Sequence, residues 1–338
     1  METEAVLSES VKARRRSSSV NDDYSVQKTN DDASQSKLAA VKLGYWKDEF
    51  LARFVSMSTE DGRAVHRDPE ISLGYWARIT IIRHYIDLFL AKAGEQAQII
   101  SIGSGFDTLF WRLKSEGAKF ARFVEVDFAS VTAKKLRVIR RSSSNALTGL
   151  FREEAHENQH TDLHAGDYHL VGADVRQWAE LKTKLEEANV DWKAPTLVLA
   201  ECVLIYMAVS QSEELLSHFT KQFTNLALLS YEQVNVNDDF GRVMVENLEK
   251  RGLRLAGIGA CESIEIQKKR LVDAGFSHGT VDDMNSVFHK KLSVEERNKV
   301  LRIECLDEME LLKQLNEHYS ISFASRAPEM DNFGEPTL

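Results

Sequence analysis

The sequence predicts an α/β fold that is built on a mostly parallel, doubly wound sheet. The first observation is a short apolar run, Ile99–Ile102, that a glycine-containing turn joins to a helical pattern. The second is that apolar runs of the length of a buried strand recur at 123–126, 169–173, 196–200 and 226–230. The third is that helical patterns separate these runs, for example at 131–141 and 178–185. Strands that alternate with helices are typical of a parallel sheet with helices on both faces.

Other elements flank this alternating unit. Apolar residues between 38 and 55 predict two short helices. A long helix follows from 74, because Trp76, Ile79, Ile82, Ile86 and Phe89 recur at helical spacing. Residues 319–324 alternate between apolar and polar side chains, which predicts a final strand with one exposed face.

The turn after the first strand predicts a nucleoside site. Gly103 and Gly105 allow a ligand to approach the backbone, because no Cβ stands in its way. Asp127 ends the next strand, where an acid holds ribose hydroxyls. Thr108 replaces the third glycine of a dinucleotide fingerprint, and Asp107, just before it, would repel a pyrophosphate. The turn therefore favours a cationic nucleoside without phosphate, such as S-adenosylmethionine, unless Asp107 only caps the helix.

Acidic residues also follow two further strands. Asp174 follows the third strand, where it could accept a hydrogen bond from an adenine amine, and Glu201 ends the fourth. Ligands of open α/β folds bind at this edge of the sheet. We therefore expect Asp127, Asp174 and Glu201 to line one cleft.

Composition and charge indicate which classes of protein this chain does not resemble. The chain has 338 residues, is 43% hydrophobic and carries a net charge of -9, which is typical of a globular protein and argues against general nucleic-acid binding. Its longest apolar run, Leu197–Val209, is interrupted by Glu201 and is too short to span a bilayer. The N-terminus shows no secretory leader, and the cysteines show no metal-type spacing. We expect a cytoplasmic protein without membrane, nucleic-acid or metal binding.

The polarity of the chain suggests its boundaries. Residues 1–35 are polar and predict a disordered tail. Residues 36–326 predict a single domain that opens with a helical cover, 36–95, and carries a variable insertion, 142–166. Residues 327–338 are expected to be frayed. His156, His160 and His164 in the insertion would align on one face of a helix as a metal site, but a solvated loop is the alternative, and nothing else supports a metal.

Longer segments carry a family resemblance. They are 29–33 with Lys37, 74–78, 102–108, 125–128, 172–176, AECVLIY at 200–206, YEQVN at 231–235, and 306–310. In these segments the chain resembles the leucine carboxyl methyltransferases, which methylate the C-terminal leucine of type 2A protein phosphatase catalytic subunits. The resemblance covers about 22–325 and departs in the insertion and the tail.

The resemblance implies a class I methyltransferase fold that uses S-adenosylmethionine, and a monomer with a helical cover over its site. By motif position it places a set of residues at the cofactor: Lys37, Arg78, Gly103, Asp127, Asp174, Val175 and Glu201.

A C-terminal carboxylate is already ionised at neutral pH, so its methylation needs no general base. It needs a cation and a hydroxyl that hold the carboxylate in line with the methyl carbon. Arg78 and Tyr206 are the catalytic candidates, and Lys37 would screen the carboxylate of the cofactor.

Three other functions stay open. A tRNA wybutosine-type methyltransferase resembles this family but carries a large C-terminal extension. A nicotinamide-dependent oxidoreductase would need the glycine that Thr108 replaces. A non-catalytic phosphatase-binding protein on the same fold is the third alternative.

Overall fold

The computed structural model describes residues 2–55, 67–142 and 145–326, with side chains from residue 22 onward. The strands are β1 Gln98–Ile102, β2 Arg122–Asp127, β3 His156–Asn158, β4 Asp162–Ala165, β5 Tyr168–Gly172, β6 Thr196–Glu201, β7 Leu226–Gln233, β8 His278–Asp283 and β9 Tyr319–Ser325. The first six helices are α1 Glu2–Leu43, α2 Leu51–Phe54, α3 Pro69–Ala93, α4 Leu109–Ser115, α5 Ala129–Arg141 and α6 Trp178–Glu187. The others are α7 Val209–Gln222, α8 Asp239–Lys250, α9 Ile264–Asp273, α10 Met284–Ser286, α11 Val294–Val300 and α12 Met309–Glu317.

The nine described strands form one sheet in the order β3-β4-β5-β2-β1-β6-β7-β9-β8. The central strands β5, β2, β1, β6 and β7 are parallel, whereas β9 runs antiparallel between β7 and β8. The predicted α/β fold class with a mostly parallel, doubly wound sheet is therefore confirmed.

The register brings the carboxyl ends of the central strands together. Ile102 pairs with Val126 on one side and with Ala200 on the other. The residue after each of these three therefore lies at the same edge of the sheet. This edge carries the glycine turn, Asp127 and Glu201.

Both faces of the sheet are buried. Ile99 packs on one face with the side chains of α3 and α4, and Ile100 packs on the other with those of α6 and α7. Full burial of such a side chain stabilises the fold by about 1.5–3 kcal/mol. This accounts for the continuous apolar runs that predicted the strands.

Helix α3 forms a large part of the cover next to the sheet. Its 25 residues bury Trp76, Ile82 and Phe89, and also the charged Arg78. Within the described ranges, no helix combines the length and the apolar character that a membrane span requires.

The insertion 142–166 differs from both alternatives that its sequence left open, a helix that aligns its histidines and a solvated loop. Part of the insertion 142–166 forms a hairpin, β3–β4, that extends the sheet beside β5. The three histidines do not share a helix face, because His156 pairs with His164 across this hairpin and His160 lies in its turn. In the described part of the chain, no three His, Cys, Asp or Glu side chains are placed to hold a metal ion.

The predicted disordered tail is also wrong for residues 22–35, which lie in α1 with most of their side chains at least half-buried. The polar composition of this segment predicted disorder, but polar contacts rather than an apolar face attach residues 22–35 to the domain. Asp23 pairs with Arg176 at 2.8 Å, and Asn30 accepts a hydrogen bond from the amide of Phe106 at 2.7 Å. The predicted frayed end, 327–338, lies outside the described residues.

Candidate active site

A cavity of about 730 Å³ lies at the carboxyl ends of the parallel strands. Strand tips form its floor, and α1, α3 and the segment after β6 form its walls. Its volume falls within the range of small-molecule sites, roughly 300–1,000 Å³. All the predicted site residues line it: Lys37, Arg78, Gly103, Gly105, Asp127, Asp174, Val175, Glu201 and Tyr206.

The glycine turn passes under this cavity in a conformation that other residues rarely adopt. Gly103 has φ +60° and Gly105 has φ +50°. A Cβ on Gly103 would lie 2.5 Å from Cγ2 of Val203, and one on Gly105 would overlap the side-chain amide of Asn30. The buried hydroxyl of Ser104, between them, has no hydrogen-bond partner among the described residues. The turn therefore leaves its backbone and one unsatisfied hydroxyl beside the cavity.

Asp127 is fixed at the tip of β2 by backbone donors. Its Oδ2 accepts from the amide of Gly105 and its Oδ1 from the amide of Phe128, each at 2.7 Å. Burial raises the pKa of Asp127, although both amides favour its ionised form. A carboxylate oxygen can accept more than one hydrogen bond, so Asp127 can also accept from a pair of ligand hydroxyls.

Two cations and two anions form a cluster at the side of the cavity. Lys37 Nζ donates to Asp107 Oδ2 at 2.7 Å and lies 3.8 Å from Glu201 Oε2. Arg78 directs Nε and Nη2 to the same Glu201 oxygen, at 2.8 and 2.7 Å. Asp107 Oδ1 accepts from the amide of Leu109, so this carboxylate also satisfies the first backbone donor of α4.

Three of these groups have pKa values that favour their charged forms. Burial disfavours the charges of Asp107, Lys37 and Arg78, but the pKa of Asp107 is held well below its usual range by Lys37 and Arg112. The pKa of Lys37 is raised despite burial because Asp107 and Glu201 face it, and Glu201 raises the pKa of Arg78 in the same way. The cluster is electrically neutral but presents separate positive and negative groups to the cavity.

Arg78 is a buried residue, with 9% of its surface exposed. Its guanidinium carbon lies 4.4 Å from the ring centroid of Tyr231, and Nη1 has the sulfur of Cys202 at 3.9 Å. Cys202 follows Glu201 directly and has φ +54°, a strained conformation for a residue other than glycine. Strain of this kind is concentrated at functional sites, which supports the assignment of this strand end.

Asp174 and Val175 lie at the opposite side of the cavity. Asp174 accepts from Nε of Arg176 at 2.8 Å, and the same guanidinium binds Asp23 of α1 through two hydrogen bonds of 2.8 Å. Asp174 therefore lines the site but also connects it to the first helix. Val175 packs against the apolar core on this side.

Tyr206 ends a short 3₁₀ helix, Leu204–Tyr206, and lines the cavity. Burial raises the pKa of Tyr206, so its hydroxyl stays protonated and can donate. The segment is held by Glu232, a buried residue for which sequence analysis predicted no role. Its carboxylate accepts the amides of Val203, Leu204 and Ile205 at 3.1, 3.0 and 3.2 Å.

Asn30, Asp23 and Arg176 also hold α1 against the site, a role that the sequence did not predict. A signal existed for two of them, because Asn30 and Arg176 lie in segments that carry the family resemblance. No sequence signal indicated that Asp23 would contact the site, because it lies in a polar segment without apolar periodicity.

Comparison with known proteins agrees with the geometry. The profile of a family described as "Leucine carboxyl methyltransferase" matches residues 25–220. The chain is 48% identical over 329 residues to leucine carboxyl methyltransferase 1 of Caenorhabditis elegans, covering 95% of this chain and 98% of that protein. It is 37% identical over 307 residues to leucine carboxyl methyltransferase 1 of Bos taurus, covering 90% and 91%.

A relative with another name is also similar. The chain is 34% identical over 315 residues to tRNA wybutosine-synthesizing protein 4 of Homo sapiens. The match covers 91% of this chain but 45% of that protein.

Proposed function

This chain belongs to the leucine carboxyl methyltransferase family, and we propose that it methylates the C-terminal leucine of a type 2A protein phosphatase catalytic subunit. The methyl donor in this proposal is S-adenosylmethionine, and the product is a methyl ester of the terminal carboxylate. One observation carries the proposal: the cluster of Lys37, Asp107, Arg78 and Glu201 lies beside a ribose-type carboxylate, Asp127, in one cavity.

The residues present fit this donor. Its amino-acid end is a zwitterion, which matches a cluster that offers Glu201 to an ammonium group and Arg78 and Lys37 to a carboxylate. The unsatisfied hydroxyl of Ser104 supplies a further polar group beside the cavity. Asp107 at the start of α4 disfavours a phosphate-bearing cofactor.

Each side of the cavity has its own part in this proposal. Asp127 would hold the ribose hydroxyls, and Asp174 and Val175 would border the adenine. The backbone at Gly103 and Gly105 would lie against the ligand. When bound, S-adenosylmethionine supplies an electrophilic methyl carbon on a positively charged sulfur.

The chain then has to present the accepting carboxylate without its water shell. A terminal carboxyl group has a pKa of roughly 3.3–3.7 and needs no general base. Arg78 would orient it through Nη1, whose contact in the structure is the weak acceptor Cys202 Sγ. The protonated hydroxyl of Tyr206 would donate a second hydrogen bond and leave the attacking oxygen free.

Apolar side chains supply the rest of the acceptor site. Met207, Leu248, Leu253 and Leu315 line the cavity, and together they match the side chain of a leucine. Helix α1 lies along the cavity between its contacts to Arg176 and to Arg251, and it limits the access of water.

The test uses labelled S-adenosylmethionine and a type 2A phosphatase catalytic subunit with and without its terminal leucine. We expect label transfer to the intact subunit and none to the truncated one. Transfer that ignores the truncation, or no transfer although the donor binds, would refute the proposal. An arm with transfer RNA examines the activity that the name of the wybutosine-synthesizing relative suggests, and we expect no label there.

A further inference from the structure

A fully buried ion pair lies directly behind the glycine turn, outside the cavity. Lys135 of α5 and Glu125 of β2 are 0% and 1% exposed at their side chains, and Lys135 Nζ lies 2.6 Å from Glu125 Oε2. The hydroxyl of Tyr168 on β5 donates to the same oxygen at 2.7 Å. A buried ion pair does not stabilise a fold by itself, since removing each charge from water costs several kcal/mol. Its presence therefore calls for another explanation.

The explanation lies in a second hydrogen bond of the lysine. Lys135 Nζ also donates to the backbone carbonyl of Asp107 at 2.8 Å. Asp107 closes the turn that begins at Gly103, and its carboxylate faces the cavity, where it binds Lys37. The backbone carbonyl of Asp107 thus accepts a hydrogen bond from Lys135 outside the cavity, while its carboxylate accepts one from Lys37 at the cavity.

We propose that Lys135 is a positioning residue that holds the Gly103–Asp107 turn in its ligand-binding shape, with Glu125 as its counter-ion. This inference rests on the proposed function, because it concerns the part of the site that would bind the methyl donor. Glu125 orients the ammonium group, and Tyr168 orients Glu125. The aromatic side chains of Trp111 and Phe54, with ring centroids 5.3 and 5.8 Å from Nζ, keep water away from the pair.

The charge of Lys135 also acts on the two carboxylates of the site. It favours the ionised forms of Asp107 and Asp127 and lowers the pKa of each against the effect of burial. The other cations that face Asp107 are Lys37 on α1 and Arg112 on α4, and Glu125 on β2 opposes them as a like charge. For Asp127 the other stabilising groups are the amides of Gly105 and Phe128. Burial raises the pKa of Glu125, although Lys135 and Tyr168 favour its ionised form.

The decisive variant is the double substitution Lys135→Met with Glu125→Gln, which removes both charges at once and keeps side chains of similar size. We expect the variant to fold, because no charge is left unpaired. We expect the Kd for S-adenosylmethionine, measured by isothermal titration calorimetry, to rise at least tenfold. We also expect the loss of binding in acid to begin at a higher pH than in the wild type. Lys135 favours the ionised forms of Asp107 and Asp127, and this effect exceeds the opposing like charge of Glu125 that the variant also removes.

The matched control is Lys134→Met, which removes an exposed lysine from the same helix and should leave the Kd and its pH profile unchanged. A folded double variant with wild-type Kd and pH profile would overturn the inference. If the double variant does not fold, Tyr168→Phe decides, since it removes only the hydroxyl that orients Glu125. A several-fold higher Kd supports the inference, and an unchanged Kd overturns it.

The two proposals can fail separately. If the wild type does not bind S-adenosylmethionine, the proposed function fails. If the wild type binds the donor and methylates the phosphatase while the double variant does the same, only the role of Lys135 fails.

Discussion

Replacing Gly103 by alanine tests the contact between the glycine turn and the segment after β6. The added Cβ would lie 2.5 Å from Cγ2 of Val203, closer than any van der Waals contact allows. The backbone at φ +60° adds a second cost, about 1–2 kcal/mol for a residue with a Cβ. Relief of the overlap by movement of the core adds about 1–3 kcal/mol. We expect Gly103→Ala to lower the free energy of unfolding by roughly 2–5 kcal/mol.

A double-mutant cycle separates these two costs. Val203→Ala alone should cost about 1 kcal/mol, since it removes two methyl groups from a half-buried side chain. In the double variant the overlap disappears, because only the Cβ at 3.5 Å remains, while the backbone cost stays. The double variant should therefore be more stable than the sum of the single changes predicts, by about 1–3 kcal/mol.

The assay is urea unfolding of the four proteins, with calorimetric titration of S-adenosylmethionine into each folded one. We expect the donor to bind at least tenfold more weakly to Gly103→Ala, because its turn has moved. Strictly additive unfolding energies would show that Gly103 and Val203 do not interact as the structure describes. An unchanged Kd in the single variant would remove the turn from the donor site.

Three further predictions follow from the cavity and its supports. Arg78→Ala should lower methylation about 10²-fold or more while the protein still folds, because Lys37, 3.8 Å from Glu201, remains as a counter-ion. Arg83→Ala, in a surface ion pair on the same helix, should leave turnover intact, and equal effects of the two variants would remove Arg78 from the mechanism. Glu232→Gln should lower both Tm and turnover, since the single oxygen of a glutamine side chain cannot accept from Val203, Leu204 and Ile205 at once. Circular dichroism measures Tm and initial rates measure turnover, and wild-type values for both would contradict the prediction. The lowered pKa of Asp107 stabilises the fold above the pKa of the unfolded state, about 3.9, and this contribution is lost as the pH falls through the lower folded value. The free energy of unfolding in urea should therefore decline from pH 7 to pH 2, and Asp107→Asn should make this decline less steep. Parallel curves for the two proteins would refute this.

The parallel sheet could be predicted from sequence because its strands are buried on both faces. Each central strand is rich in buried apolar residues, and the residues that end β2 and β6 are acids in the positions that the pattern indicated. The predicted strand near 169–173 is β5 shifted by one residue, and the final strand is β9. The exposed face predicted for this final strand is wrong, because β9 lies between β7 and β8 with both of its faces buried. The family and the methyltransferase activity predicted from the motifs are also confirmed.

Edge elements escaped prediction because they carry no such run. Strand β8, HGTVDD, is polar and largely exposed, and its antiparallel pairing with β9 makes it part of the sheet. The strands of the hairpin β3–β4 have only three and four residues, too few for a periodic signal, and they join the sheet through the pairing of β4 with β5. The polar part of α1 is held by charged and amide contacts, which leave no periodic signal in the sequence.

The supports of the site were hidden for a related reason. Lys135 is one of several basic residues in α5, and the neighbouring sequence does not indicate that its side chain is buried against Glu125 and Asp107. Glu232 belongs to a motif, but its three amide partners lie about 30 residues away in the chain. Contacts between distant segments determine these roles, so they become visible only in the folded protein.

We propose above all that the cavity places a methyl donor next to a terminal carboxylate. The most direct measurement is tandem mass spectrometry of the C-terminal peptide of a type 2A phosphatase subunit after incubation with this protein and S-adenosylmethionine. We expect one methyl group on the carboxylate of the terminal leucine, as an ester that mild base removes. A methyl group on any other atom, or an unmodified peptide after donor binding has been demonstrated, would contradict it.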